Sequence, residues 1–299
     1  MTEYYLVAGH RFSIEIEDGS PLWDRLDNYH PFRCEAGDCI FNLRYSKQEP
    51  VPAKVPFYKD KPEDEDQPRM EIYREADGPE VSAGANRWII EMAPTQKMPI
   101  CVRIISSPDF HSGVVHVANE EHLAVFGINN AAMLLYAFTT ATLGTLEMHA
   151  SVIANGGRGY LFLGKSGTGK STHSNLWLKY VEGSELLNDD NPIVRVGQDG
   201  ITRVYGSPWS GKTPCYRNMT VPAGAFVKLN QAPENRIRQC NILESYAAVY
   251  PSCSGLRQIR EFADGMHQTI EHILLQVPCY ELDCLPDEGA ARLSSQTIR

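Results

Sequence analysis

A glycine-rich segment at residues 164–171 constrains this chain more than any other feature of its sequence. The segment reads GKSGTGKS, which fits the pattern GxxxxGK[ST]; it follows the apolar residues 159–163 and precedes a helical pattern over residues 172–181. Its glycines allow the backbone to curl tightly, so that successive amide hydrogens point at phosphate oxygens, and the N-terminus of the helix adds the positive end of its dipole. The sequence therefore predicts a strand, a phosphate-binding loop and a helix, in that order.

The side chains of this motif have separate expected tasks. Lys170 is expected to bridge the β and γ phosphates of a nucleotide, and Ser171 to offer its hydroxyl to Mg²⁺, which prefers hard oxygen ligands. The predicted nucleotide-binding residues are Gly164, Lys165, Ser166, Gly167, Thr168, Gly169, Lys170, Ser171 and Thr172. The alternative is a glycine-rich turn that binds no ligand, and the complete motif in its strand-to-helix context argues against that alternative.

Two adjacent carboxylates, Asp189 and Asp190, follow a predicted strand at residues 185–187. That strand can lie beside the strand that leads into the phosphate loop. This would bring one carboxylate near the metal and leave the other to accept a proton from an attacking hydroxyl. Residues 188–192 read NDDNP, which is also good turn chemistry, so an ordinary acidic turn is the alternative. The phosphate loop upstream favours the functional interpretation.

Two more segments contain candidate residues. His149 precedes a predicted hairpin and could orient a carboxylate or sense the phosphate, although a lone histidine is more often a structural residue. Lys212 lies in the small-residue segment 206–214, which is either a loop that closes over phosphates or a surface turn with a solvated lysine. The residues alone leave both choices open.

Composition and pattern predict how the rest of the chain is organised. A chain of 299 residues with 42% hydrophobic content can bury a large core, in one large domain or two smaller ones. Residues 1–118 alternate short strand-like runs with turn-rich connectors and predict a β-rich region, and residues 119–299 are the predicted nucleotide-binding domain. Hairpin signals at residues 155–157 and 197–200 predict a mixed sheet rather than an all-parallel one.

Charge and apolar patterning limit the expected partners and compartment. The 28 basic and 37 acidic side chains give a net charge of −9, which disfavours a nucleic-acid partner. Residues 131–138 form the most apolar run, yet a membrane helix needs about 20 apolar residues, so we expect no membrane span but a buried helix within residues 120–146. The N-terminus lacks the pattern of a signal peptide and the eight cysteines lack CxxC spacing, so reduced thiols in a cytoplasmic protein are expected.

Together these residues resemble the superfamily of HPr kinase/phosphorylase and phosphoenolpyruvate carboxykinase. Residues 166–172 resemble the phosphate loop of the carboxykinases, and Asp189-Asp190 resemble the paired aspartates that both branches carry shortly downstream. His149 begins the segment HASVIA, which is similar to the HGxLVD-like segment ahead of the loop in HPr kinases. The likeness covers about residues 149–229. It implies an α/β fold with the mixed-sheet P-loop kinase core of this superfamily, next to a β-rich N-terminal region.

The resemblance also implies roles for individual residues. His149, Lys170, Asp189 and Asp190 would be the catalytic residues. Asp189 would act as base toward a substrate hydroxyl, and Asp190 would support the metal together with Ser171. ATP and Mg²⁺ are the implied cofactors.

The acceptor side of the site is defined less fully by the resemblance. Arg217 lies roughly where HPr kinases have an arginine after their second hairpin, although the surrounding glutamate and glycine are missing; Arg217 and Lys212 are the predicted substrate- or phosphate-binding residues. The chain has no obvious counterpart of the C-terminal HPr-docking segment, nor of the arginine and metal-ligand set that a carboxykinase needs for oxaloacetate.

The implied function is therefore an ATP- and Mg²⁺-dependent kinase that acts on a hydroxyl of a small molecule or of a peptide or protein serine. One alternative is a nucleotide-dependent regulatory or binding protein that transfers no phosphate. Another is an ATP-dependent carboxykinase, which ranks behind both because its substrate residues are not found. The acceptor, the preference for ATP over GTP and the oligomeric state are not encoded in these motifs.

Overall fold

The computed structural model describes residues 1–47, 58–59, 68–75, 87–117, 121–211 and 213–299. The chain divides into two compact units, of which the first comprises Met1–Leu6 and His10–Thr139 and the second comprises Val7–Gly9 and Thr140–Arg299. The main division therefore falls after a long helix, whereas the sequence predicted a boundary at 118/119, ahead of that helix.

The first unit contains a mixed sheet with eight strands among the described residues. They are β1 (Thr2–Val7), β2 (His10–Glu15), β3 (Phe41–Ser46), β4 (Tyr58–Lys59), β5 (Arg69–Glu75), β6 (Arg87–Ala93), β7 (Val102–Ser106) and β8 (Ser112–Val117). The order across the sheet is β1-β2-β3-β8-β7-β6-β5-β4. β3 pairs in parallel with β2 and with β8, and the run from β8 to β4 is antiparallel. Two short 3-10 helices, Pro21–Arg25 and Asp27–Phe32, precede β3.

The long helix α1 (Glu121–Thr140) packs within this first unit. The ring of Phe138 contacts that of Phe110, with 5.0 Å between the centroids. Gly127 permits a close approach to the sheet, because a Cβ at this position would lie 2.8 Å from Cγ2 of Val117. These contacts explain why α1 belongs to the first unit, although the predicted boundary assigned it to the second.

The observed length of α1 differs from two sequence-based expectations. Residues 131–138 alone are too short to cross a membrane, but the apolar pattern starts earlier. Over His122–Thr140, α1 is the one helix in the described parts of the chain that is long and apolar enough for a span by length and composition. Within the protein, 72% of that window is buried, in agreement with the expected buried helix. α1 ends at Thr140 rather than near residue 146, because residues 141–144 form a turn and a strand follows.

The second unit contains a sheet of nine strands in its described residues. They are β9 (Thr145–Glu147), β10 (Ala150–Asn155), β11 (Arg158–Leu163), β12 (Glu185–Asp190), β13 (Ile193–Val196), β14 (Thr202–Tyr205), β15 (Thr220–Gln231), β16 (Arg236–Gln239) and β17 (Cys279–Cys284). The order is β12-β10-β11-β15-β14-β13-β9, and β17 pairs with β15 and β16. β15 pairs in parallel with β11 and β17, whereas the β10–β11 and β13–β14 hairpins are antiparallel. The prediction of an α/β fold with a mixed sheet is confirmed.

Helices cover both faces of this second sheet. They are α2 (Lys170–Tyr180), α3 (Ile242–Val249), α4 (Arg260–Leu274) and α5 (Glu288–Ile298), with a 3-10 helix at Tyr250–Ser252. Successive residues of a strand point to opposite faces. Accordingly, Val152 belongs to a buried cluster with Ile270 of α4, and its neighbour Ile153 belongs to a second cluster with Trp177 of α2 and Ala291 of α5.

Trp177 fixes helix α2 against the sheet. Its side chain is fully buried, its ring lies 5.6 Å from that of Phe162 on β11, and its Nε1 donates a hydrogen bond to Ser294 Oγ of α5 at 2.9 Å. Replacing a buried tryptophan with alanine costs about 3–5 kcal/mol. These contacts hold α2, which begins directly after the glycine-rich loop, in a fixed position against the sheet.

Candidate functional site

The glycine-rich loop joins β11 to α2, as the sequence predicted. Gly164, Gly167 and Gly169 have φ angles of 152°, 80° and 104°, a region that L side chains rarely adopt. At Gly164 a Cβ would lie 2.6 Å from Oγ1 of Thr168. The backbone therefore curls in a way that requires glycine at these positions, and the amide groups of the loop gather at the N-terminus of α2.

Lys170 lies inside this curl. Its Nζ donates hydrogen bonds to the carbonyl oxygens of Gly164 at 3.0 Å and Lys165 at 3.3 Å, and the residue is only 8% exposed. An ammonium group has three donors, so one remains for an anion beyond these two bonds. Burial lowers the pKa of Lys170, and the carboxylates of Asp190 and Asp189 oppose that shift. The side chain is thus placed to meet a phosphate at the centre of the loop.

Asp189 lies next to the first turn of α2. It follows Asn188 near the end of β12, is 3% exposed, and accepts a hydrogen bond from Ser171 Oγ on Oδ1 at 2.9 Å. β12 is not the immediate neighbour of β11, as the sequence suggested it could be. The hairpin partner β10 lies between them and pairs Ser151 with Asp189. The loop still meets the aspartate because the side chain of Ser171 spans the remaining distance.

Asp190 completes the carboxylate pair in a different environment. Its side chain is 38% exposed, and its Oδ1 lies 3.0 Å from Nε2 of His149. Burial alone would raise the pKa of Asp190, but the hydrogen bond and charge of His149, together with the charge of Lys170, outweigh burial and lower it. Asp190 is therefore ionised at neutral pH. Its φ of 118° is a strained conformation for a residue with a side chain.

Asn188 and Ser207, which the sequence analysis did not single out, fix the strand end that carries both aspartates. Asn188 is fully buried, and its Nδ2 donates to Ser207 Oγ at 3.2 Å and to the carbonyl oxygen of Trp209 at 3.0 Å. Its Oδ1 accepts from the backbone N–H of Asn191 at 2.9 Å. Asn188 was seen only as part of a turn, although an asparagine directly ahead of two aspartates is the one signal that could have identified it.

The part of the segment 206–214 from Ser207 to Gly211 packs against this strand end. The backbone N–H of Gly211 donates to the carbonyl oxygen of Asp189 at 2.6 Å, and Ser210 Oγ donates to the same oxygen at 2.8 Å. At Gly211 a Cβ would lie 3.0 Å from Cβ of Asp190, so the segment lies close over the strained residue. Lys212, predicted to bind phosphate from this segment, lies outside the described residues.

Arg217 does not join this group. Its Nη1 lies 2.9 Å from Oε2 of Glu185 in an exposed ion pair. Glu185 begins β12, whereas Asp189 and Asp190 end it. The chain beyond the site returns along β12, since Cys215 Sγ donates to the backbone oxygen of Leu187 at 3.5 Å. Arg217 is thereby carried to the opposite end of that strand, which is the physical reason why the structure does not support its predicted role at the phosphate.

Glu147 is a third residue that sequence reasoning missed. It ends β9 and is 1% exposed. Burial raises its pKa well above the ordinary value, the charge of Asp190 raises it further, and a hydrogen bond with the side chain of Ser254 opposes part of that rise. The sequence around Glu147 does not indicate that its side chain is buried, because the residues that bury it are not its neighbours in the sequence.

The donor set at the loop fits Mg²⁺. No cluster of three or more histidine, cysteine, aspartate or glutamate side chains in the described ranges is arranged to hold a metal. Magnesium does not need such a cage, because it is commonly bound through one or two carboxylates together with the phosphates of a nucleotide. The hydroxyl of Ser171 and the carboxylate of Asp189 are oxygen donors of this kind, 2.9 Å apart.

Comparison with known proteins gives no family assignment. No protein-family model matches the sequence, and no curated protein matches it. One similar solved structure is that of the Hpr(Ser) kinase/phosphatase from Coxiella burnetii, which is 13% identical and aligns over 51% of this chain and 93% of that one, with a TM-score of 0.30. The function of the site is therefore inferred from its own geometry.

Proposed function

We propose that this protein is an ATP- and Mg²⁺-dependent kinase that transfers the γ-phosphoryl group to a hydroxyl of a small molecule or of a peptide or protein serine. The main observation behind this proposal is the 2.9 Å hydrogen bond from Ser171 in the glycine-rich loop to Asp189, which brings the aspartate pair to the phosphate-binding motif. Three segments distant in the sequence, the loop, the end of β12 and His149, supply complementary groups at one place.

The loop and Lys170 supply the phosphate-binding part of the proposal. The backbone N–H groups of the loop would hold the phosphate oxygens, and the remaining donor of Lys170 would reach the β and γ phosphates. Mg²⁺, held by Ser171 and Asp189, would neutralise the charge that develops on the transferring group. Phosphoryl transfer needs chiefly such positioning and charge neutralisation, which these residues provide.

Asp190 is the proposed base, which reverses the roles that the sequence predicted for the two aspartates. Asp189 is buried and occupied by Ser171, whereas Asp190 is partly exposed, ionised at neutral pH and held by His149. As the acceptor oxygen bonds to the γ phosphorus, its proton passes to Asp190 and the bond from phosphorus to the departing ADP oxygen breaks. His149 would keep Oδ1 engaged, and Oδ2, which accepts a hydrogen bond from Asn191 Nδ2 at 3.3 Å, would use its remaining lone pair for the proton of the acceptor.

The test is transfer of label from γ-labelled ATP in the presence of Mg²⁺ to the components of a cell extract, with the products separated by size. We expect a labelled product whose size distinguishes a small molecule from a peptide or protein. The Asp190→Asn variant should abolish transfer while ATP binding persists. The matched control is Asp199→Asn, because Asp199 pairs with Arg203 in the exposed β13–β14 hairpin.

Two results would contradict the kinase function, and a third would contradict the role of Asp190. Normal ATP binding without any labelled product, combined with nucleotide-dependent association, would indicate a regulatory binding protein. Formation of phosphoenolpyruvate from oxaloacetate and ATP would indicate a carboxykinase. Full transfer by Asp190→Asn would remove Asp190 from the role of base.

A further inference from the structure

A cavity of about 450 Å³ opens on the glycine-rich loop, and the loop side of its wall is formed by Gly167, Thr168 and Gly169. The aspartate pair, His149, Lys170 and Ser171 are not among its lining residues. Its volume lies within the range of about 300–1,000 Å³ that is typical of small-molecule sites. The same loop therefore borders two different environments, one with carboxylates and one with a cavity.

We infer that this cavity binds the base and ribose of the nucleotide whose phosphates the loop holds, an inference that rests on the proposed kinase function. Lys170 and Ser171 mark the end of the loop where the γ phosphate and the metal belong. The cavity borders the loop at Gly167, Thr168 and Gly169 and the first turn of α2 at Thr172. A nucleoside attached to phosphates held by the loop would therefore enter the cavity directly.

The walls of the cavity suit an uncharged ring. Leu176 of α2 and Leu229 of β15 contribute apolar surface, and Leu285 and Pro286 contribute the other side. None of the described residues that line the cavity carries a charge at neutral pH, because burial lowers the pKa of His173 to about 4. A second anion would find no cation here, whereas a heterocycle would bury its faces against aliphatic side chains.

Polar groups at the edge of the cavity supply orientation. Thr172 offers a hydroxyl, and Gln231 offers a side-chain amide whose Nε2 donates to the carbonyl oxygen of Gly167 at 3.2 Å. This bond connects the end of β15 to the tip of the phosphate loop. A few polar groups in a mainly apolar pocket are the usual arrangement in cofactor sites.

The far wall of the cavity is held in place by its own hydrogen bonds. Asn235 accepts from the backbone N–H of Leu285 at 2.8 Å and donates to Asp287 at 2.9 Å, and Asp287 caps α5 by accepting from the N–H of Ala290 at 2.9 Å. The N–H of Ala232 donates to the carbonyl oxygen of Cys284 at 3.2 Å. A wall fixed in this way loses little entropy when a ligand binds.

The experiment compares two probes, ATP and inorganic tripolyphosphate, each with Mg²⁺, in calorimetric titrations of the full chain. Tripolyphosphate engages the loop but has no nucleoside. We expect Ala232→Phe, which fills the cavity, to weaken ATP binding by about tenfold or more and to leave tripolyphosphate within about twofold. The control is Ala247→Phe at an exposed position of α3, which should change neither.

The outcomes separate this inference from the proposed function. Unchanged ATP affinity in Ala232→Phe would overturn the cavity as nucleoside site, while binding of both probes by the wild type would leave the phosphate loop intact. Failure of both probes to bind the wild type would overturn the nucleotide function itself. Retained tripolyphosphate binding also shows that the variant is folded.

A second measurement uses the wild-type protein alone. Cys284 lines the cavity and is partly exposed, as is Cys240, which does not line it. We expect ATP, but not tripolyphosphate, to slow alkylation of Cys284 by N-ethylmaleimide in peptide mass spectrometry, with Cys240 as internal reference. Equal labelling of Cys284 with both ligands would contradict the inference.

Discussion

The glycine-rich loop borders two regions whose physical character differs. The carboxylate end, made of His149, Asp189 and Asp190, is charged, and its strand end is fixed by hydrogen bonds from Asn188, Ser210 and Gly211. The cavity end has apolar walls without a charged side chain among the described lining residues. Placing charges to within a fraction of an ångström needs directional bonds, whereas holding a neutral ring needs volume and apolar surface.

This difference predicts how substitutions should behave. A change at the carboxylate end should alter turnover, metal dependence or pH dependence with modest effects on nucleotide affinity. A change at the cavity end should alter the preference for ATP over tripolyphosphate with little effect on the chemistry. Lys170 lies between the two and should affect both.

The largest expected effect on transfer and nucleotide affinity together is that of Lys170→Ala. This variant removes the buried ammonium group and its bonds to the carbonyl oxygens of Gly164 and Lys165, so the loop loses its central cation. We expect phosphoryl transfer to fall by about 10³-fold, as is typical when a stabilising donor is lost from a transferring group. ATP and tripolyphosphate should both bind more weakly in titrations. Lys179→Ala, at the exposed last turn of α2, is the control, and transfer within about twofold of wild type in Lys170→Ala would contradict the role of the loop.

Asp189→Asn should change the metal dependence. If Asp189 and Ser171 hold Mg²⁺, loss of this carboxylate should raise the Mg²⁺ concentration needed for half-maximal transfer by at least about tenfold, because loss of a group that only supports a metal ligand already costs about 10- to 100-fold. Asp190→Asn is the matched variant one residue away and should leave the Mg²⁺ requirement unchanged in nucleotide-binding titrations. The reverse pattern would restore the roles that the sequence predicted, with Asp189 as base.

His149→Phe should lower turnover by about tenfold and change its pH profile. His149 helps to keep the pKa of Asp190 low, so its removal should raise that pKa and move the acidic limb of the kcat profile to higher pH. His149→Gln retains a hydrogen-bond donor and should recover part of the loss. An unshifted acidic limb in His149→Phe would mean that Asp190 is not the titrating base.

The features predicted correctly from the sequence are those that depend on neighbouring residues. The β10–β11 hairpin and the glycine-rich turn each follow from a few adjacent residues, and the structure places both as expected. A helix follows the turn as predicted, but it begins at Lys170 rather than at residue 172. The end of α1 at Thr140 was missed because tertiary contacts, not local pattern, decide where a buried helix stops.

What sequence reasoning could not supply depends on contacts between distant segments. Three such features follow from the order of strands in the sheet. β10 lies between β11 and β12, Arg217 pairs with Glu185 at the far end of β12, and the residues that line the cavity come from separate elements. Leu176, Leu229 and Leu285 meet at one cavity only because β15 and β17 end side by side near α2. No local sequence pattern around these leucines indicates that they line the same cavity.

The smallest expected effect at the carboxylate end concerns Glu147, and it is an effect on stability rather than turnover. Because burial and the charge of Asp190 raise its pKa in the folded protein, the folded state holds this proton more tightly than the unfolded chain. The stabilisation is complete below the ordinary glutamate pKa and is lost as pH rises toward the raised value. The loss amounts to at most about 1.4 kcal/mol per pH unit.

Glu147→Gln removes this titration and keeps the shape of the side chain. Urea unfolding between pH 5 and about 8 should therefore show a free energy of unfolding that falls less steeply with pH than in wild type, with transfer at neutral pH within about twofold. Glu182→Gln, at an exposed position after α2, should leave the wild-type slope intact. An identical slope in Glu147→Gln would show that Glu147 is ionised in the folded protein. In that case Glu147 would add a buried negative charge near Asp190, whose ionised form His149 and Lys170 stabilise.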